Sequence, residues 1–86
     1  MYLHIGNNKL VKNNEILGIF DLDSATVSAV TRKFLGGADK EGRVVSIGDE
    51  VPKSFVVTTG KTGNKIFMTY ISGGTLLKRS ERIDLT

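Results

Sequence analysis

The sequence predicts an α+β domain: a mostly antiparallel β-sheet of five to six short strands, one main helix over about 24–41 and a short C-terminal helix over about 75–83. Three observations carry this. Short runs rich in β-branched residues recur between glycine- and asparagine-rich breaks. One internal stretch, around Val27 to Leu35, spaces its apolar side chains with a helical period. A length of 86 residues supplies one core and no second domain, so residues 1–86 form a single unit.

Taken in order, Tyr2 to Ile5 is a short strand stopped by Gly6-Asn7-Asn8, residues that tolerate positive φ and suit a tight hairpin turn. Leu10-Val11 begins the return strand, and Asn13-Asn14 ends it. Glu15 to Leu22 is apolar along most of its length and reads as a strand, with Gly18 marking a bulge or a close backbone approach. Asp23-Ser24 offers a helix cap, because a short oxygen-bearing side chain accepts from the free amides of a first turn. Val27, Val30, Phe34 and Leu35 then share one helix face, while Ser28, Thr31, Arg32 and Lys33 share the other. Gly36-Gly37 either ends this helix or is absorbed into it at about 1 kcal/mol per glycine, and the reading favoured is the longer helix, capped at Gly42. Val44 to Ile47, Ser54 to Thr58 and Lys65 to Ile71 are strands, the last two joined by a flexible tip at 59–64. Thr75 caps the final helix, which turns Leu76, Leu77, Ser80 and Ile83 inward.

Composition excludes several chemistries. The absence of cysteine removes disulfides, thiolate zinc sites and a catalytic thiol, and a single histidine, His4, removes any two-His metal site. Neither a metal site nor a cofactor is expected, and no nucleophile–base pair or nucleotide loop points to an enzyme or a small-molecule substrate. No apolar run is long enough to span a bilayer and the N-terminus lacks a signal-peptide pattern, which points to a cytoplasmic protein without a membrane partner.

Some residue sets invite chemistry and are better explained without it. His4 sits in an apolar strand with no partner at ligand spacing, and reads as a hydrogen-bonded or half-exposed strand histidine. Asp21 and Asp23 read as a strand end and a helix cap, and Asp49-Glu50 as a solvated loop. Gly73-Gly74-Thr75 precedes a helix but has neither the spacing nor the lysine of a phosphate loop.

Charge is the informative property. The net +3 divides into −1 over residues 1–52, with six basic and seven acidic side chains, and +4 over residues 53–86, with six basic and two acidic. Lys53, Lys61, Lys65, Lys78, Arg79 and Arg82 form the C-terminal set, and Arg32 adds an outward charge on the main helix. No aromatic residues are interleaved with them, so contact with nucleic acid would run through duplex phosphates rather than stacked bases. A second inference concerns assembly. A helix of about 15 residues is only about 22 Å long, too short to cover strands that are apolar on both faces. Ile16, Ile19, Phe55, Val57, Phe67 and Ile71 are therefore candidates for a homo-oligomer interface.

The segments Tyr2-Leu3-His4-Ile5-Gly6, Ile16-Leu17-Gly18-Ile19-Phe20-Asp21, Pro52 to Thr58 and Thr75 to Ser80 resemble the bacterial extracellular-matrix regulators of the RemA/RemB type, closer to the RemB-like branch. The likeness covers essentially the whole chain. It implies a small cytoplasmic, non-catalytic regulator of biofilm-matrix genes. RemA-like members bind double-stranded DNA and assemble into cyclic homo-oligomers around which a duplex could wrap. Residue by residue, Lys53, Thr75 and Arg79 match basic or neighbouring positions of that branch, whereas Glu15 and Glu50 replace basic ones. An adaptor that binds another protein instead of DNA is the alternative those two carboxylates suggest.

Overall fold

A computed structural model describes residues 2–22, 28–61 and 63–84, the side chains of 81–84 excepted. Its elements are β1 (Tyr2–His4), β2 (Leu10–Lys12), a 3-10 turn (Asn13–Glu15), β3 (Ile16–Asp21), α1 (Ala29–Lys40), β4 (Val44–Ile47), β5 (Ser54–Thr58), β6 (Lys65–Thr69) and α2 (Gly73–Asp84). The α+β class is as the sequence predicts. The sheet is not a single one: β1 and β2 pair by themselves, and the other four strands form a sheet in the order β3-β5-β6-β4. Within it β3 and β6 flank β5 antiparallel, while β4 runs parallel to β6. Short strands can only alternate with turns, but β3 and β4 occupy opposite edges and are joined through α1, a crossover that a linear reading does not reveal.

The β1–β2 turn follows directly from its residues. Lys9 N donates to Gly6 O at 2.8 Å, and both central residues, Asn7 and Asn8, have positive φ (47° and 62°). Two left-handed residues make a turn whose twist matches that of the strands it joins. Gly6 itself, at φ 116°, lies against the Tyr70 ring, and a Cβ there would come within 3.0 Å of it.

Alternation along β5 and β6 divides the core between the two faces of the four-stranded sheet. Val56 and Phe67 point to one face, where Leu3, Ile5, Val11, Ile47 and Leu76 from the hairpin, β4 and α2 bury them. Phe55, Val57 and Ile66 point to the other face and pack with Ala38 of α1. The molecule is thus three layers deep: hairpin with α2, sheet, then α1. Buried hydroxyls tie the layers together. Thr69 Oγ1 donates to Ile5 O at 2.6 Å, and Ser54 Oγ donates to Ile71 O at 2.6 Å.

Helix boundaries shift for local reasons. The expected start of the main helix at Ser24 lies outside the described residues, as does Asp23. The described helix α1 begins at Ala29, because Ser28 is extended (φ −71°, ψ 132°) and its side chain accepts from Thr31 N. A continuous helix over 24–41 is therefore ruled out, and Ser28 is a cap rather than a solvent-facing helical residue. The helix does absorb Gly36-Gly37, and the chain leaves it at Gly42 with φ 71°. For α2 the cap is Ser72 and not Thr75: Thr75 N donates to Ser72 Oγ at 3.3 Å, so Gly73-Gly74 form its first turn. Leu76 is fully buried, but Leu77 is exposed, contrary to its expected inward position.

Candidate nucleic-acid interface

Among the described residues, the basic side chains singled out by charge do not gather on one surface of the subunit. Lys53 is exposed just before β5, its backbone held on both sides, with its N donating to Thr69 O at 2.8 Å and its O accepting from Leu22 N at 3.0 Å. Lys65, opposite Thr58, opens β6 at the far end of the same hairpin. From Ser54 to Thr58 is four residue steps, about 13 Å of strand, so Lys53 and Lys65 mark opposite ends of the sheet. Lys61 is exposed at the tip beyond Lys65. Arg32 is exposed on α1, across the sheet from α2.

On α2, Lys78 is exposed and Arg79 is half-buried. Arg79 Nη1 donates to His4 O at 3.0 Å, so this guanidinium ties α2 to β1 as well as carrying charge. His4 takes part through its carbonyl, an ordinary strand role. Arg82 lies one turn further along α2, and its side chain falls outside the described residues. Arg43 pairs with Glu41 at 2.7 Å and donates to Asn64 O, bracing the end of α1 against the β5–β6 connection.

The structure adds two lysines that sequence reasoning missed. Lys9 and Lys12 line one cleft with Lys65, between the β1–β2 hairpin and the β5–β6 tip. Both belong to the chain half with net −1, and that bookkeeping hid them: charge polarised along the sequence is not polarised in the same way in space. Glu15 also lines this cleft, and its backbone O accepts from Thr59 N at 2.8 Å. Glu15 therefore stands among lysines. Asp49 and Glu50 are exposed in the loop that precedes β5, towards the Lys53 end.

The proposed interface residues are placed unevenly. Phe55, Val57 and Phe67 are buried by the chain's own side chains, while Ile16, Ile19 and Ile71 are partly buried against the first core cluster. The apolar surface left over lies beside them. Leu17 is 61% exposed, Phe20 43%, Val30 78% and Phe34 39%. They line a groove of about 310 Å³ between β3 and α1, floored by Phe55 and Val57. Its origin is geometric: among the described residues α1 covers the sheet through Leu35 and Ala38, on the β4–β6 side, and does not reach across the β3 side of that face. The signal in the sequence was Leu17 and Phe20 flanking the Gly18 bulge, where pairing slips between Ile16 and Gly18 and strict alternation fails.

No helix among the described residues is long and apolar enough to cross a membrane. No family model matches the chain. It is 35% identical over 81 residues to a curated protein of Bacillus subtilis (strain 168), Extracellular matrix regulatory protein B, an alignment covering 94% of this chain and 91% of that protein.

Proposed function

The chain belongs to the RemA/RemB-type family of bacterial extracellular-matrix regulators, and from that premise we propose that it is a non-enzymatic, cytoplasmic, DNA-associated regulator that works as a homo-oligomer. The observation that carries the regulatory role is the relationship itself, which spans nearly the whole of both chains. Assembly is supported by the groove at Leu17, Phe20, Val30 and Phe34, an apolar surface that a monomer has no reason to keep in water.

Assembly is also what the charge arrangement needs. With Lys53 at one end of the sheet and Lys61 and Lys65 at the other, one subunit offers a duplex few phosphate contacts at a time. A symmetric repeat brings like ends of neighbouring subunits into register, and weak contacts then add through effective concentration. Binding is salt-dependent and weakly sequence-selective, because it runs through phosphates. Mobility shift at low salt is the test: retained duplex, released as salt rises, supports this reading, and no retention overturns it.

The alternative, an adaptor that binds another protein, is favoured by one observation. The loop before β5 exposes Asp49 and Glu50 next to Lys53, which weakens any anion-binding character at that end. An assembled protein that retains no duplex and captures one protein partner decides for the adaptor.

A further inference from the structure

We propose that the cleft between the β1–β2 hairpin and the β5–β6 tip binds a phosphate-bearing small molecule of nucleotide size. The inference stands independently of the DNA reading. It rests on what the fold brings together: Lys9 and Lys12 from the hairpin and Lys65 from β6, around a volume of about 330 Å³. That volume falls at the lower end of the ~300–1,000 Å³ range of small-ligand sites.

The three lysines line one cleft only because two separate hairpins pack side by side. Tyr2 pairs with Lys12 and Leu3 with Val11, so Val11 points into the core and Lys12 away from it. A slip of one residue would reverse both. Lys9 is held with its Nζ 5.1 Å from the centroid of the Phe67 ring. Among the described residues no carboxylate comes within ion-pair distance of these lysines, although Glu15 shares the cleft. An anion in the cleft meets lysines from both hairpins, and charge-assisted hydrogen bonds to phosphate are the strong kind.

The rest of the lining argues for more than a bare anion. Tyr2, Leu10 and Phe67 supply an apolar wall, and the half-exposed Tyr2 ring offers a flat surface for a planar base. A duplex backbone would use the lysines and leave that wall unused. A mononucleotide uses both, with phosphate on the lysines and base on the aromatic side.

The test is amide-resolved NMR of the full chain, titrated separately with adenosine monophosphate, inorganic phosphate and a short duplex. The expected result is saturable binding of adenosine monophosphate at up to millimolar concentration, with shifts centred on residues 9–12, Thr59 and Lys65. Lys12→Gln and Lys65→Gln should each weaken it by about tenfold, the factor a lost charge-assisted hydrogen bond carries. A spectrum that keeps its dispersion in both variants excludes unfolding as the cause. The proposal is overturned if adenosine monophosphate leaves these amides unmoved, including the case in which the duplex alone moves them. It is equally overturned if inorganic phosphate binds as tightly, since the apolar wall then contributes nothing.

Discussion

The hydroxyl of Thr69 donates to the carbonyl of Ile5 at 2.6 Å inside the core, and the same oxygen accepts from Ile71 N at 3.2 Å. One side chain thus joins the end of β6 to the hairpin layer 64 residues away in sequence. Thr69→Val keeps the shape and removes both partners, leaving a buried carbonyl and an amide unsatisfied. The expected loss is about 1–3 kcal/mol, read as a shift of the urea midpoint without a change of slope. An unchanged midpoint would show that the two layers are held by apolar packing alone.

Gly18 allows the Phe20 ring to fold back over the bulge and stack on Phe55, with centroids 5.0 Å apart and planes at 18°. A Cβ at position 18 would come within 2.6 Å of that ring. Gly18→Ala should therefore displace Phe20, a half-exposed side chain free to swing away, at the cost of the stack, about 0.5–1.5 kcal/mol. Near-ultraviolet circular dichroism should lose aromatic signal while the far-ultraviolet spectrum is kept.

Arg79 and Lys78 are neighbours in sequence with different duties. Arg79→Ala breaks the bond to His4 O and should lower stability by about 0.5–1.5 kcal/mol. Lys78→Ala should leave the denaturation curve unchanged. If both face a duplex in the assembly, each should reduce the salt slope of DNA affinity by ~1. Loss of DNA affinity on Arg79→Ala with the slope preserved would mark a purely structural arginine.

The groove at Leu17 and Phe34 gives the test of assembly. Wild-type protein should elute and scatter as a multiple of its 9.3 kDa subunit. Leu17→Glu with Phe34→Glu should scatter as the monomer, with circular dichroism unchanged, because both side chains are exposed in the single chain. A wild-type monomer at micromolar concentration would remove the need for the groove to be covered.

Much of this molecule is legible along the chain. Local chemistry acts over a few residues, so the Gly6-Asn7-Asn8 turn, the Gly18 bulge, the strands and the helix running through Gly36-Gly37 could all be read from their own neighbourhoods. The caps could not be placed as reliably. Ser28 caps α1 where the sequence suggests a solvent-facing helical residue, and Ser72 caps α2 where it suggests Thr75, because which hydroxyl meets a free amide depends on where packing lets the chain turn.

The candidate site was harder to read, for a related reason. Counting charge by chain position set Lys9 and Lys12 in an acidic half, although the hairpin packs beside the β5–β6 tip and both line one cleft with Lys65. Apolar character alone marked Phe55, Val57 and Phe67 as interface, although the sheet's own two layers bury them.

By itself the sequence determined the α+β class and the family likeness, because each depends on composition or short-range pattern. Only the tertiary structure decided which apolar surface stays open and which lysines share a cleft. Both depend on strand order and on the side of the sheet that α1 covers, and those are set by long-range packing that no window of neighbouring residues contains.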